Sequence, residues 1–458
     1  MRRISIDTLG MISPKGTGFA VAKRRSTPWY LARPRLLTTC VCFATLYLWL
    51  RFGATTVVIP DDSFALLEDE SLRDILNTTL GFQKILVLNL PFRTDRRDAM
   101  TLSAATSNIA LEFVDGVTGD SIRHSAYPPP EENIKLPAGI RGSWRTHMNA
   151  LQRVVEQNLT TALIFEDDVD WDVRVRANLQ RFALASRFLA ENKDVLSAAG
   201  SPYRSAIENR PNTETPETGF HILSENGITE KLPSLPLREV YKKGRGMMAA
   251  RKKTGGATSS PYGDPAEWDI LWIGHCGAGF PRHPPHPKPQ TTTSSILLTL
   301  PNDPTVPSPK HLKAHPFQGA LDPLASAYPP HTRVYHRATG GALCTVAYAV
   351  SQRGARRLLH QFGLKHWNNI FDSEMGRWCA AEGKKVQRGM ERVCLTSQPP
   401  IFAHHHPMDG ESDIGGLGGG YATKYETKYL RYSVRMNLEG IVQGGKGPRE
   451  LVDQWPDE

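Results

Sequence analysis

This 458-residue chain has almost no net charge outside its first 51 residues. Of 55 Lys+Arg and 46 Asp+Glu, that opening segment holds nine and one, which leaves 46 against 45 beyond it. So nearly neutral a body offers no electrostatic footprint for a phosphate backbone, which argues against nucleic acid as a partner. Cysteine is scarce as well. Cys40 and Cys42 fall in an apolar stretch, and only Cys276, Cys344, Cys379 and Cys394 remain in the body. Four thiols in an oxidising compartment allow three pairings, with Cys379 and Cys394 the nearest in sequence; four buried free thiols are the alternative. The chain also lacks a clean uncharged run of the roughly 18 residues that usually mark a spanning helix.

The nearest approach to such a run is LLTTCVCFATLYLWL, residues 36–50, and apolar character resumes after Arg51 through Ile59. If Arg51 snorkels, residues 36–59 reach bilayer length and form a membrane anchor. A cleaved signal peptide is the other reading, opposed by Phe52 near the cut and by a charged region of some 35 residues. Arg2, Arg3, Lys15, Lys23, Arg24, Arg25, Arg33 and Arg35 precede the run against only Asp7. Positive-inside logic then makes residues 1–35 a cytosolic tail and sends the bulk across the membrane, a single-pass type II arrangement in the Golgi or endoplasmic reticulum. Asn77-Thr78-Thr79 and Asn158-Leu159-Thr160 are acceptor triplets for N-glycans in such a lumen.

Residues 60–83 read as a polar stem. Lys84 to Leu90 is a nearly continuous apolar run, as in a strand covered on both faces, and Arg93 to Arg97 open a helix. Leu111 to Val114 gives a second strand before the Asp115-Gly116 turn. Met148, Leu151, Val154, Val155 and Leu159 recur at helical spacing, with Ser143 expected as the helix cap. Trp268 to Gly274 and Cys344 to Val350 give further strands, the latter followed by a helix capped at Ser351, with Ala355, Leu358, Leu359 and Phe362 on one face. Alternating strands and helices predict an α/β fold with a mostly parallel sheet flanked by helices. Residues 201–263, with a basic cluster at Lys242, Lys243, Arg245, Arg251, Lys252 and Lys253, and residues 281–331 lack sustained periodicity. Both are expected to be flexible insertions. The tail from 416 to 458 shows no clear core element.

Chemistry concentrates where the strand Ala162-Leu163-Ile164-Phe165 ends in Glu166, Asp167 and Asp168. Three adjacent acids in partly buried surroundings repel one another unless a cation is present, and hard oxygen donors suit Mg²⁺ or Mn²⁺. A solvated acidic loop would have the same composition. In parallel sheets, ligands collect beyond the carboxyl ends of strands, where Asp95, Asp115 and this triplet all fall.

Taken in order, ILVLNLPFRTDRR, FVDGVTG, GSWRTHMNALQRVVEQNLTTALIFEDDV, WDILWIGHCG, TVAYAVSQRGARRLL and SQPPIFAHHH resemble glycosyltransferase family 25, the lipopolysaccharide and collagen sugar-transferase family. The likeness is greatest to its anchored fungal branch, and covers residues 84–175 well and 266–406 in patches. The resemblance implies a GT-A-type, Rossmann-like catalytic domain over residues 84–415. It also implies a UDP-sugar donor of galactose or glucose, Mn²⁺ or Mg²⁺, and inverting transfer to a glycan or glycoprotein. By motif, Asn89, Arg93, Asp95 and Arg96 would hold the nucleotide, with Asp115 near the uridine or ribose. Asp168 would lead the metal ligands, assisted by Glu166 or Asp167, and one residue of His404-His405-His406, taken as His405, would complete the shell.

A departing diphosphate needs a cation, and an inverting transfer needs a base for the acceptor hydroxyl. Asp372 and Glu374 are the candidates for that base, although the pair also suits a helix N-terminus. Trp144 and His147 are candidates for sugar contact, with core packing as the alternative. Two rival functions fit the same acids: a metal-dependent nucleotide-sugar phosphoesterase, and a non-catalytic lumenal binding protein on the same scaffold.

Overall fold

The computed structural model describes residues 69–191, 221–223, 229–231, 234–241, 260–279, 296–313, 322, 325, 327–339, 341–380, 391–408, 412–414, 425–444 and 451–458. All of them lie in the second of two units, Ser63–Glu458. The expected tail, anchor and basic cluster lie outside the described residues, as do residues 60–68 of the expected stem; residues 69–83 belong to the folded domain instead, with Leu72, Ile75, Leu80 and Phe82 buried in its core. Among the described residues no helix is long and apolar enough to cross a membrane.

The fold begins with β1 (Lys84–Asn89), α1 (Thr94–Thr106), β2 (Glu112–Asp115), α2 (Ala138–Glu156), β3 (Thr161–Glu166), β4 (Val169–Trp171) and α3 (Val175–Glu191). A separate hairpin pairs β5 (His221–Leu223) with β6 (Thr229–Lys231). The main sheet continues with β7 (Ser234–Pro236), β8 (Ile270–Gly274), β9 (Leu297–Leu300), β10 (Arg333–Arg337) and β11 (Ala347–Ser351). Then come α4 (Gln352–Leu358), α5 (Phe371–Cys379), β12 (Cys394–Gln398), β13 (Phe402–His406), β14 (Glu426–Thr427) and α6 (Val434–Val442).

Strand order along the sheet is β2-β1-β3-β11-β8-β12-β10-β9-β7. β1 lies parallel to β2 and β3, as the alternation of strand and helix predicts. β11 runs antiparallel to both β3 and β8, and β8 and β12 are parallel again. Strand periodicity splits the core in two. Ile85, Val87, Leu163 and Phe165 face one side, where Met100 of α1 and Leu179 of α3 cover them. Leu86, Leu88, Ala162 and Ile164 face the other side, under Trp144, Met148 and Leu151 of α2 and Leu358 of α4. A strand buried on both faces shows no polar alternation, which is why KILVLN reads as a continuous apolar run.

Several expectations need correction. Ser143 lies inside α2, which starts at Ala138 behind Pro137. Ser351, by contrast, caps α4 through a bond from the Gly354 amide. The 281–331 stretch is not wholly a flexible insertion: β9 pairs with β10 and β7 and extends the far edge of the sheet. Ile296, Leu297 and Leu298 are buried by strand pairing, which requires no amphipathic periodicity. Behind them Arg333, 1% exposed, donates to Asp303 at 2.8 Å and to the Pro399 carbonyl at 2.6 Å. The tail from 416 also joins the core, through β14, α6 and the buried Tyr429, Leu430 and Val434. The four body cysteines form two disulfides, Cys276–Cys344 and Cys379–Cys394.

Candidate active site

The parallel register sets β1, β2 and β3 level, pairing Asn89 with Asp115 and Leu88 with Glu166, so their carboxyl ends open on one side. A cleft of about 700 Å³ lies there. Asn89, Arg96, Glu166, Asp167, Asp168, His404 and His406 all line it. So do Gly116 to Asp120 with the start of α2, and Cys276, Leu343, Cys344, Thr345 and Ile370 to Ser373. Close backbone approach shapes the segment from Gly116 to Asp120 and its contact with α2. A Cβ on Gly142 would lie 2.4 Å from the Val117 carbonyl, and one on Gly119 would lie 2.0 Å from that of Ala138.

The acid triplet does not converge on one point. Asp167 accepts from the Asn89 amide at 2.8 Å and from Arg96 at 2.7 Å, while the same guanidinium nitrogen reaches Asp168 at 2.9 Å. Glu166 turns instead to the Thr345 hydroxyl at 2.6 Å. After the turn, β4 pairs with β13 and sets His404 opposite Val169, so that the His404 Nε2 meets Asp168 at 3.0 Å. Strand alternation then decides among the three histidines: His404 and His406 reach the cleft, whereas His405 faces away and bonds to Thr427 at 3.0 Å. Of the three, the expected His405 thus lies away from the acids, and His404 is the one that meets them. Burial pulls the His405 pKa down to about 3, consistent with a neutral ring packed away from the acids.

Electrostatics sharpen the division. Burial would raise the Asp168 carboxyl, but His404 and Arg96 hold it well below the usual carboxylate range. Asp167 is pushed up by burial and by Asp168, against the pull of Arg96 and Asn89. Burial lowers the His404 imidazole, yet Asp168 outweighs it and the net shift is upward. Asp372 at the start of α5 lines the same cleft, where its carboxylate accepts from the Cys344 amide at 2.7 Å; burial raises its pKa.

Four other expected site residues sit elsewhere. Asp95 is 64% exposed at its side chain and pairs with Arg93 at 2.8 Å, and neither residue lines the cleft. Arg93 also pairs with Asp413. Asp115 is exposed at the end of β2, and the turn after it supplies the wall in its place. Glu374 pairs with Arg377 one helical turn on, rotated from Asp372 by the helix period and outside the cleft. Trp144 is fully buried, 4.5 Å from the Trp367 ring, which is core packing.

The sequence reading missed Thr345, His404 and Arg435. The half-buried Arg435 of α6 donates to the carbonyls of Asp167 at 2.8 Å and Val169 at 3.0 Å, clamping the acidic turn from the C-terminal segment. Asp170, fully buried, ties down the same segment by accepting from Thr427 at 2.7 Å and from Ser433. Parity along FAHHH could have separated His404 from His405; nothing local signals Arg435.

Among the described residues no group of three His, Cys, Asp or Glu side chains forms a ready coordination shell. The donor set nevertheless fits a divalent cation at one point. The Oδ1 of Asp168 is buried with no hydrogen-bond partner, and its other oxygen meets His404.

Residues 82–210 match the model of a family described as glycosyltransferase family 25 (LPS biosynthesis protein). Similar relatives include the human inactive glycosyltransferase 25 family member 3, 31% identical over 113 residues, or 22% of this chain and 19% of the relative. Procollagen galactosyltransferase 1 of Danio rerio is 27% identical over 112 residues, and procollagen galactosyltransferase 2 of Mus musculus 26% over 113, each covering 22% of this chain and 18% of the relative. The chain thus spans about a fifth of the length of the curated relatives it matches.

Proposed function

We propose, from the premise that this chain carries a glycosyltransferase family 25 domain over residues 82–210, that it transfers a hexose from a UDP-sugar to a hydroxyl of a glycan or glycoprotein, with inversion. Galactose and glucose are the donors to test first. The observation that carries this reading is the cleft at the carboxyl ends of β1 to β3, where Arg96, Asp167, Asp168 and His404 are drawn together. Asn89 and Arg96 would orient the nucleotide from this end. Asp168 and His404 would hold Mn²⁺ or Mg²⁺, which when bound offsets the negative charge of the diphosphate. Arg96 adds a fixed positive charge beside it.

Asp372, which lines the same cleft, takes the acceptor proton. The acceptor oxygen bonds to the anomeric carbon as the bond to UDP breaks, the bonding electrons leave with the phosphate oxygen, and the proton passes to Asp372. A carboxyl with a raised pKa is the better base for that task. In the cell, residues 36–59 would anchor the chain in the Golgi or endoplasmic reticulum with this domain in the lumen.

A second reading, a binding protein without turnover, is favoured by one observation: Arg96 already bridges Asp167 and Asp168. A screen of UDP-sugars against glycan acceptors, with Mn²⁺ and with chelator, separates the two. Metal-dependent, acceptor-dependent UDP release from one donor supports transfer. Free hexose without an acceptor identifies a phosphoesterase, and UDP binding without release identifies the binding protein.

A further inference from the structure

Asp167 and Asp168 are held by Arg96, but Glu166 is held by a different set of groups. Its Oε1 accepts the Thr345 hydroxyl at 2.6 Å and lies 3.5 Å from the Nε2 of His147. His147 is 1% exposed on α2, stacked 4.6 Å from the Phe371 ring, with its Nδ1 2.9 Å from the Tyr348 hydroxyl and its Nε2 3.3 Å from the Thr345 oxygen. Donor counting orders this chain. Thr345 has one hydrogen and spends it on Glu166, so its oxygen accepts from the His147 Nε2–H, which leaves Nδ1 to accept from Tyr348. Tyr348, His147 and Thr345 thus donate in sequence toward one carboxylate oxygen, and each buried group is satisfied.

Such a chain is more than is needed to bury a histidine. It ends on a side chain 24% exposed that lines the cleft. The Cys344 amide, one residue before Thr345, donates to Asp372 at 2.7 Å, so consecutive residues of one segment hold Glu166 and Asp372, whereas Arg96 holds Asp167 and Asp168.

We propose that Glu166 is an acceptor-binding residue and not a cation ligand: its carboxylate accepts a hydrogen bond from a sugar hydroxyl beside the one that reacts, and Thr345, His147 and Tyr348 are the positioning residues that aim it. This assignment rests on the transferase reading and divides the acidic triplet between two substrates, Asp168 serving the nucleotide and Glu166 the acceptor.

The test uses the full chain with UDP-galactose, UDP-glucose, Mn²⁺ and a panel of nitrophenyl glycosides as acceptors, together with calorimetric UDP binding in Mn²⁺. Glu166→Gln is expected to lower kcat/KM for the acceptor about 10- to 100-fold, the range for a lost hydrogen bond to a charged group. Thr345→Val is expected to cost about tenfold through misplacement of that carboxylate, and Thr345→Ser to restore the rate. UDP affinity should stay within about twofold in all three, unlike the loss expected in Asp168→Asn. If Glu166→Gln fails to fold, the Thr345→Val and Thr345→Ser pair decides alone. A fall in UDP affinity parallel to that of Asp168→Asn, or acceptor kinetics untouched by Thr345→Val, overturns the assignment. A wild-type chain that binds UDP but transfers no sugar overturns the transferase reading, and the assignment with it.

Discussion

Replacing Arg96 by Met removes the one guanidinium that spans Asp167 and Asp168, at 2.7 and 2.9 Å, and leaves two adjacent carboxylates facing each other. Breaking a fully buried pair by deleting one partner costs about 3–5 kcal/mol. Here the three side chains are 17%, 10% and 13% exposed, and His404 still holds Asp168, so about 2–4 kcal/mol is the reasoned loss. For a domain of this size that corresponds to a fall of about 3–6 °C in Tm.

The sign of the pH dependence follows from the two shifts. Asp167 is raised in the folded protein, so its charge costs stability above its folded pKa, and that cost vanishes below its unfolded value. Asp168 is depressed, so its contribution is present above its unfolded value and fades only in stronger acid. Without Arg96 the Asp167 penalty grows. The gap between variant and wild type must then be widest at pH 7 and narrow as the pH falls toward 4. Mn²⁺ should also close part of the gap, because a divalent ion replaces the lost cation. Scanning calorimetry at pH 4, 5.5 and 7, with and without Mn²⁺, measures this. A gap that is constant with pH and indifferent to Mn²⁺ would refute the claim that the charge of Arg96 offsets the repulsion between the two acids.

Three further outcomes are expected. Asp372→Asn should lower kcat by about 100-fold or more while leaving UDP affinity unchanged, since Asp372 makes no contact with Arg96, Asp167 or Asp168 and its proposed part is to take the acceptor proton. Cys379→Ser with Cys394→Ser opens a bridge of sequence separation 15 and should cost about 3 kcal/mol, read as a Tm shift in non-reducing buffer that disappears when both proteins are reduced. Gly142→Ala should destabilise by about 1–3 kcal/mol despite the better helix propensity of alanine, because its Cβ would meet the Val117 carbonyl at 2.4 Å. Denaturant unfolding checks it, and a gain in stability would show that the cleft wall yields more freely than its packing implies.

What the sequence made legible was what depends on local pattern. KILVLN and ALIFE are unbroken apolar runs because their strands are covered on both faces, and the run of acids marks the point where the covering ends. The Ser351 cap followed from one side chain and its own helix. Elements held by distant partners were not legible. β9 is four residues long, and its burial comes from β10 and β7 rather than from any period of its own. Arg435 reaches the acidic turn across more than 260 positions of sequence, a distance over which spacing carries no signal. The choice among three histidines hinged on the parity of β13, and the middle one faces Thr427 and not the cleft. In the same way the acidic triplet looked like a single grip, although Glu166 turns to Thr345 while Asp167 and Asp168 are held by Arg96.

The central claim is that Asp168 and His404 lie at the heart of a nucleotide-sugar site. Calorimetric titration of UDP into the wild-type chain and into Asp168→Asn, each with Mn²⁺ and with chelator, tests it most directly. The account predicts binding by the wild type that requires Mn²⁺, and a loss of about 2–5 kcal/mol in the variant, thirtyfold or more in affinity. Equal affinity in the two proteins, or wild-type binding indifferent to metal, would contradict it.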